Sequence, residues 1–84
     1  MAVANGTVTA TTTPQLVRPA GTRINLYTQN QSGSIPVYWG PTSGVTAATG
    51  MSLPVIGAYE ETHYTGAVYV VTGSSTSTVY WEEL

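Results

Sequence analysis

The segment Glu60-Glu61-Thr62-His63 gathers the side chains of this sequence that could do acid–base or metal chemistry. On a strand, successive side chains point to opposite faces, so Glu61 and His63 share one face and Glu60 points away. A catalytic zinc ion needs about three protein ligands, and the sequence offers no evident third ligand beside these two. We therefore interpret the segment as a polar strand, and we predict no metal site and no cofactor.

Other catalytic signatures are missing from the sequence. The chain has no cysteine and no aspartate, which excludes thiolate chemistry and a Ser-His-Asp triad. Gly40, Gly44 and Gly50 lack the following Lys-Ser/Thr that a phosphate-binding loop requires, so we interpret them as turn residues. The sequence predicts a protein that is not an enzyme.

The aromatic residues point to binding instead. There are six tyrosines and two tryptophans but no phenylalanine, so each ring combines an apolar face with a hydrogen-bonding tip, as is common at protein interfaces. Tyr38-Trp39 and Tyr80-Trp81 lie on predicted strands, and each pair should send one ring inward and one outward. Outward rings could anchor a subunit contact or stack on sugar rings. We favour the subunit contact, because sugar sites normally add Asp, Asn or Arg, and here only Asn or Arg is available.

Charged residues make up only 7% of the chain, against about a quarter in an average soluble protein. Arg18 and Arg23 are the only fixed positive charges, so no nucleic-acid partner is expected. No apolar run approaches the length of a membrane span, so no membrane partner is expected. Arg23 could pair with Glu82 or Glu83, within the chain or across an interface, or remain solvated.

Alternating apolar and polar residues predict an all-β chain. The clearest strand covers residues 23–28, with Ile24 and Leu26 on one face, and ends in a loop at 30–33. A second strand at 35–39 carries Pro36, which should lie at a sheet edge or at the strand's start. Further strands are predicted at 3–10, 15–18, 51–53 (with Met51 and Leu53 both inward), 58–64, 67–72 and 77–82, the last two forming a hairpin, and a short extended piece is predicted at 45–46.

Seven or eight short strands predict a small β-sandwich, jelly-roll-like, or a compact β-barrel. We expect residues 1–14 to form a flexible or partner-ordered arm or first strand, and residues 15–84 to form a single β-domain. A chain of 84 residues is near the lower size limit for independent stability, and it has no disulfide to help. It also lacks lysine, which commonly protects sheet edges, so we expect neighbouring copies or another protein to cover those edges.

Four successive segments together resemble small β-rich virion proteins of tailed bacteriophages. The likeness extends over roughly residues 16–84 and consists of an R-x-x-L-x-x-x-N strand, a P-V-Y-hydrophobic-G segment, a V-T…G-x-x-L segment and a late A-x-Y strand. These correspond to Arg23-Ile24-Asn25-Leu26-Tyr27-Thr28-Gln29-Asn30, Pro36-Val37-Tyr38-Trp39-Gly40, Val45-Thr46 with Thr49-Gly50-Met51-Ser52-Leu53, and Tyr64-Thr65-Gly66-Ala67-Val68-Tyr69.

The resemblance implies a non-enzymatic capsid decoration or cement protein on the exterior of the phage head. Such a protein bridges subunits of the major capsid protein and is often a homotrimer at local threefold positions. The alternative is a carbohydrate-binding module or one associated with the tail or fibres. The residues expected to make the contacts are Leu16, Val17, Arg18, Arg23, Tyr38, Trp39 and Trp81.

Overall fold

The computed structural model describes residues 4–21, 25–32, 34–53, 58–62 and 65–83. Within these ranges the regular structure consists of eight strands, and no helix there is long and apolar enough to cross a membrane. The strands are β1 (Ala4–Ala10), β2 (Gln15–Arg18), β3 (Asn25–Asn30), β4 (Val37–Gly40), β5 (Met51–Leu53), β6 (Ala58–Thr62), β7 (Val68–Thr72) and β8 (Ser77–Glu83).

The strands form two four-stranded antiparallel sheets. Sheet A has the order β1-β8-β3-β6, and sheet B has the order β2-β7-β4-β5. This is the strand order of a jelly roll, in which most connections pass from one sheet to the other. The predicted all-β fold is confirmed, and the two separate sheets decide for the sandwich over the closed barrel.

Alternation along each strand builds the core between the sheets. In β3, Leu26 and Thr28 are buried while Tyr27 and Gln29 are only partly covered, which confirms the predicted pattern. Pro36 directly precedes β4, at the strand's start as expected. The described core consists of Ala10, Val17, Leu26, Val37, Leu53, Val68, Val70, Val79 and Trp81.

The predicted hairpin between residues 67–72 and 77–82 is wrong. Both strands exist, but β7 pairs with β2 and β4, whereas β8 pairs with β1 and β3. Because both edges of β7 are occupied, β8 has no place beside it, and residues 73–76 carry the chain across to sheet A. Ser75 takes a positive φ of 61° in this crossing, and Thr72 Oγ1 donates a hydrogen bond to the Ser75 carbonyl at 2.7 Å.

The short extended piece predicted at residues 45–46 lies within the loop that joins β4 to β5. Two local predictions need correction. Only Leu53 of β5 is buried, whereas Met51 is 47% exposed, because β5 is short and Met51 lies at its open end. Asn30, predicted as the start of a loop, is the last residue of β3 and is completely buried.

Asn30 links the two sheets through its side-chain amide. Nδ2 donates to the carbonyl oxygens of Ile35 at 2.9 Å and Leu53 at 3.1 Å. Oδ1 accepts from the Ser32 N–H at 3.1 Å and from the Ser77 hydroxyl. Because Ser77 begins β8 in sheet A and Leu53 ends β5 in sheet B, one amide joins both layers in the interior, where such a group is stable only when hydrogen-bonded.

Candidate interaction surface

An irregularity in edge strand β2 determines where the first group of predicted contact residues points. Leu16 pairs with Tyr69, and Arg18 pairs with Val68, so Val17 is one residue too many in the strand. A bulge of this kind re-aims the following side chain. Leu16 is therefore 44% exposed on the outer face, whereas Arg18 shares the inward side of its buried partner Val68. Val17 itself joins the core.

Turned inward by the bulge, Arg18 reaches across to sheet A. Its Nε donates to Oε1 of Glu83 at 2.8 Å, and its Nη2 donates to Oε2 at 3.2 Å. The guanidinium carbon lies 4.5 Å from the centre of the Trp81 ring, in the range for a cation–π contact. Hydrogen bonding to Glu83 raises the pKa of Arg18, although partial burial acts in the opposite direction. This contact holds β2 against β8.

The two predicted aromatic pairs each place one ring inward and one outward, as expected. Trp81 is 9% exposed and belongs to the core, where its ring lies 3.2 Å from the position that a Cβ of Gly6 would occupy. Trp39 is partly buried and packs against the same core. Both tryptophans therefore face inward, and the tyrosines of each pair face outward. Partner contacts by Trp39 and Trp81 remain predictions.

The outer face of sheet B carries apolar and aromatic side chains. Leu16, Tyr69 and Gly40 form one row across β2, β7 and β4, and the next row contains Val71 and Tyr38. Tyr69 and Tyr38 are partly exposed, while Val71 is only 3% exposed although it faces outward. Apart from the exposed Ser52 beside Tyr38 on β5, this face therefore carries mainly apolar and aromatic side chains, and part of it is covered by the protein's own chain.

The cover comes from the loop of residues 41–50. Val45 is buried against the glycines at the two ends of the loop: a Cβ at Gly40 would lie 2.7 Å from Val45 Cγ2, and one at Gly50 would lie 2.8 Å from it. Thr46 and Thr49 close the loop, since the Thr46 N–H donates to Thr49 Oγ1 at 3.0 Å. Two glycines thus make the space in which the loop packs on the sheet.

A shallow cleft of about 380 Å³ opens where this loop joins β4 and β5. Its lining includes apolar residues, among them Trp39 and Met51, and threonines that carry hydroxyl groups. A cleft that combines apolar and hydrogen-bonding residues suits a small ligand with one apolar face. Its lining residues are Trp39, Gly40, Pro41, Thr42, Gly44, Val45, Thr49 and Met51.

The outer face of sheet A is polar by comparison. The exposed side of β1 consists of Asn5, Thr7 and Thr9, and Thr78 is exposed beside them on β8. Tyr27 and Tyr80 meet edge to face, with ring centres 6.4 Å apart. Among the described side chains, this face therefore carries short polar groups and tyrosines, and it exposes no large aliphatic residue.

Arg23 and His63 lie outside the described residues. The structure therefore does not test an ion pair of Arg23 or the predicted arrangement of Glu61 and His63. Glu83, one of the two partners suggested for Arg23, forms an ion pair with Arg18. In the described part of the chain, no three His, Cys, Asp or Glu residues lie close enough together to hold a metal ion.

The buried amide of Asn30 is the most connected polar group that sequence reasoning missed. The signal was present, because the inward positions of the strand run through residues 26 and 28 to residue 30.

Comparison with protein-family models, with curated proteins and with solved structures gave no match.

Proposed function

We propose that this chain is a non-enzymatic structural protein of a bacteriophage particle, a decoration or cement protein on the capsid exterior that bridges coat subunits. In this proposal the outer face of sheet B binds the major capsid protein, and the polar face of sheet A points to solvent. The observation that carries the proposal is the difference between these two faces, together with the sequence resemblance given above.

Sheet B suits a contact with another protein because its outer face presents apolar side chains and few charged ones. Leu16 is a large aliphatic residue that is 44% exposed, and Tyr69 pairs with it on the neighbouring strand. Tyrosines beside an exposed aliphatic residue resemble the composition of interface centres. Jelly rolls also occur in viral capsid domains, although a fold does not by itself define a function.

The proposal is tested by cosedimentation of the purified protein with phage heads that lack it. We expect saturable binding of the wild-type protein and a loss of at least about tenfold in affinity for Leu16→Glu, because a carboxylate would be desolvated against the coat. Thr78→Glu is the matched control, since it adds the same charge to an exposed position on sheet A. Equal binding by both variants, or no binding by the wild-type protein, would refute the proposal.

The cleft beside Trp39 supports a second candidate function, a carbohydrate-binding or tail-associated module. Jelly rolls also occur in lectins, and Trp39, Thr42 and Thr49 are among the residues that line the cleft. A glycan array distinguishes this candidate from the first. A binding signal that Trp39→Ala abolishes and Thr78→Ala leaves unchanged would favour the carbohydrate module, provided that Trp39→Ala remains folded by circular dichroism.

A further inference from the structure

The four edge strands differ in how well they could pair with another chain. Strand β5 has only three residues, β2 contains the bulge, and β6 includes the charged residues Glu60 and Glu61. All three features discourage pairing at a sheet edge. Strand β1 has none of them: its seven residues, ANGTVTA, contain no charge and no proline, and they pair with β8 in continuous register.

One side of β1 is open for hydrogen bonding in the described part of the chain. There β1 has β8 as its only neighbour within sheet A. In an antiparallel ladder, alternate residues direct both N–H and C=O away from the existing partner. About three of the seven residues of β1 therefore offer unpaired backbone groups at this edge.

The sequence of β1 is also complementary to itself. Consider two β1 strands paired antiparallel and centred on Thr7. Among the exposed residues, Asn5 of one copy then lies opposite Thr9 of the other, and the two Thr7 residues lie opposite each other. On the inward side, Gly6 meets Val8, so a small residue faces a larger one. Cross-strand Thr–Thr pairs are favourable, and a contact of this kind needs the same surface on both chains.

We propose that two copies of this protein pair through β1, antiparallel and centred on Thr7, so that the two A sheets become one continuous eight-stranded sheet. The proposal deepens the proposed function, on which it rests, by naming the edge through which neighbouring copies join. In this dimer the two B sheets would lie on the same side of the joined A sheets. The outer faces of both B sheets could therefore contact one surface.

Single cysteines test the register, because the natural chain contains none. Directly opposed residues have Cα atoms about 4.5–5.5 Å apart, within the range of a disulfide. Under mild oxidation, Thr7→Cys should form covalent dimers at least about tenfold faster than Thr78→Cys, the exposed control on β8. Asn5→Cys should react slowly alone but quickly when mixed with Thr9→Cys. Equal rates for Thr7→Cys and Thr78→Cys would overturn the proposal.

Charge tests the same contact without a covalent bond. In sedimentation velocity, Thr7→Lys should weaken self-association several-fold, because it sets two like charges opposite each other, while Thr78→Lys should behave as wild type. Mixing Thr7→Lys with Thr7→Glu should restore the dimer.

The two proposals fail in different ways. A wild-type protein that is monomeric at high concentration, or a trimer that Thr7→Lys leaves intact, overturns the β1 pairing. If such a protein still binds phage heads through Leu16, the proposed function stands. If the β1 dimer forms but does not bind heads, the proposed function fails and the pairing stands.

Discussion

The two outer faces of this sandwich are built from the same alternating strands, yet they have different surfaces. Sheet A presents Asn5, Thr7, Thr9 and the Tyr27–Tyr80 pair. Sheet B presents Leu16 and tyrosines, and its own loop covers part of it. The difference shows that a chain with few charges can still build two outer faces of different chemical character. Hydroxyl and amide groups provide the hydration that charges provide elsewhere.

The side chain of Asn30 joins sheet A to sheet B, and its loss should cause the largest destabilisation of the sandwich. We expect Asn30→Ala to lower the free energy of unfolding by about 3 kcal/mol, because it leaves several buried donors and acceptors without partners. Urea denaturation measures the effect. Gln29→Ala, on the outward side of the same strand, should cost less than about 0.5 kcal/mol. A similar cost for both variants would contradict the role of the buried amide.

The covered part of sheet B depends on the contact between Val45 and Gly40. Gly40→Ala should destabilise the fold by about 2 kcal/mol, because the new Cβ would overlap Val45, 2.7 Å from its Cγ2. Thermal unfolding provides the measurement. Gly44→Ala is the control, since its Cβ would meet Thr42 Oγ1 at an ordinary 3.6 Å. Adding Val45→Ala to Gly40→Ala should recover part of the loss, and a strictly additive double variant would count against the packing account.

The edge at which the two faces meet is held by Arg18. Arg18→Met keeps the aliphatic stem but removes the fork, and we expect a loss of about 1 kcal/mol, limited by the partial exposure of the ion pair. A double-mutant cycle with Glu83→Gln isolates the coupling between the two side chains. The coupling should shrink between low and high salt. No coupling at low salt would show that the pair does not hold β2 to β8.

The smallest effect is expected on the hydrated face. Tyr27 and Tyr80 should couple by about 0.5–1 kcal/mol in a double-mutant cycle of Tyr→Ala variants, as edge-to-face rings do. Neither variant should change binding to phage heads by more than about twofold, since the proposed contact uses sheet B. Loss of binding on Tyr80→Ala would indicate that sheet A, and not sheet B, contacts the coat.

Local alternation was sufficient to predict most strands and the all-β class. The predicted range 15–18 coincides with β2, and β3, β7 and β8 fall close to their predicted ranges. Pairing was harder to predict, because a loop such as residues 73–76 has the length of a hairpin and also the length of a crossing between sheets. The decision depends on which edges are already occupied, and that is a property of the whole fold.

The candidate surface was only partly predictable for a related reason. Nothing in the local pattern marks Val17 as a bulged residue. Strict alternation therefore predicts that Leu16 and Arg18 share a face, whereas the bulge places them on opposite faces. The ion pair between Glu83 and Arg18 was not predicted, because the sequence separates the two residues by 65 positions and only the packing of β2 against β8 brings them together. The asymmetry between the two outer faces emerges only when all registers are known.

An electron cryomicroscopy reconstruction of phage heads incubated with the purified protein tests the proposed capsid contact. We expect density for the sandwich on the outside of the shell, with Leu16 and Tyr69 of sheet B against the coat and Thr78 of sheet A facing solvent. A map with sheet A against the coat, or with no density for the protein on the head, would contradict the proposal.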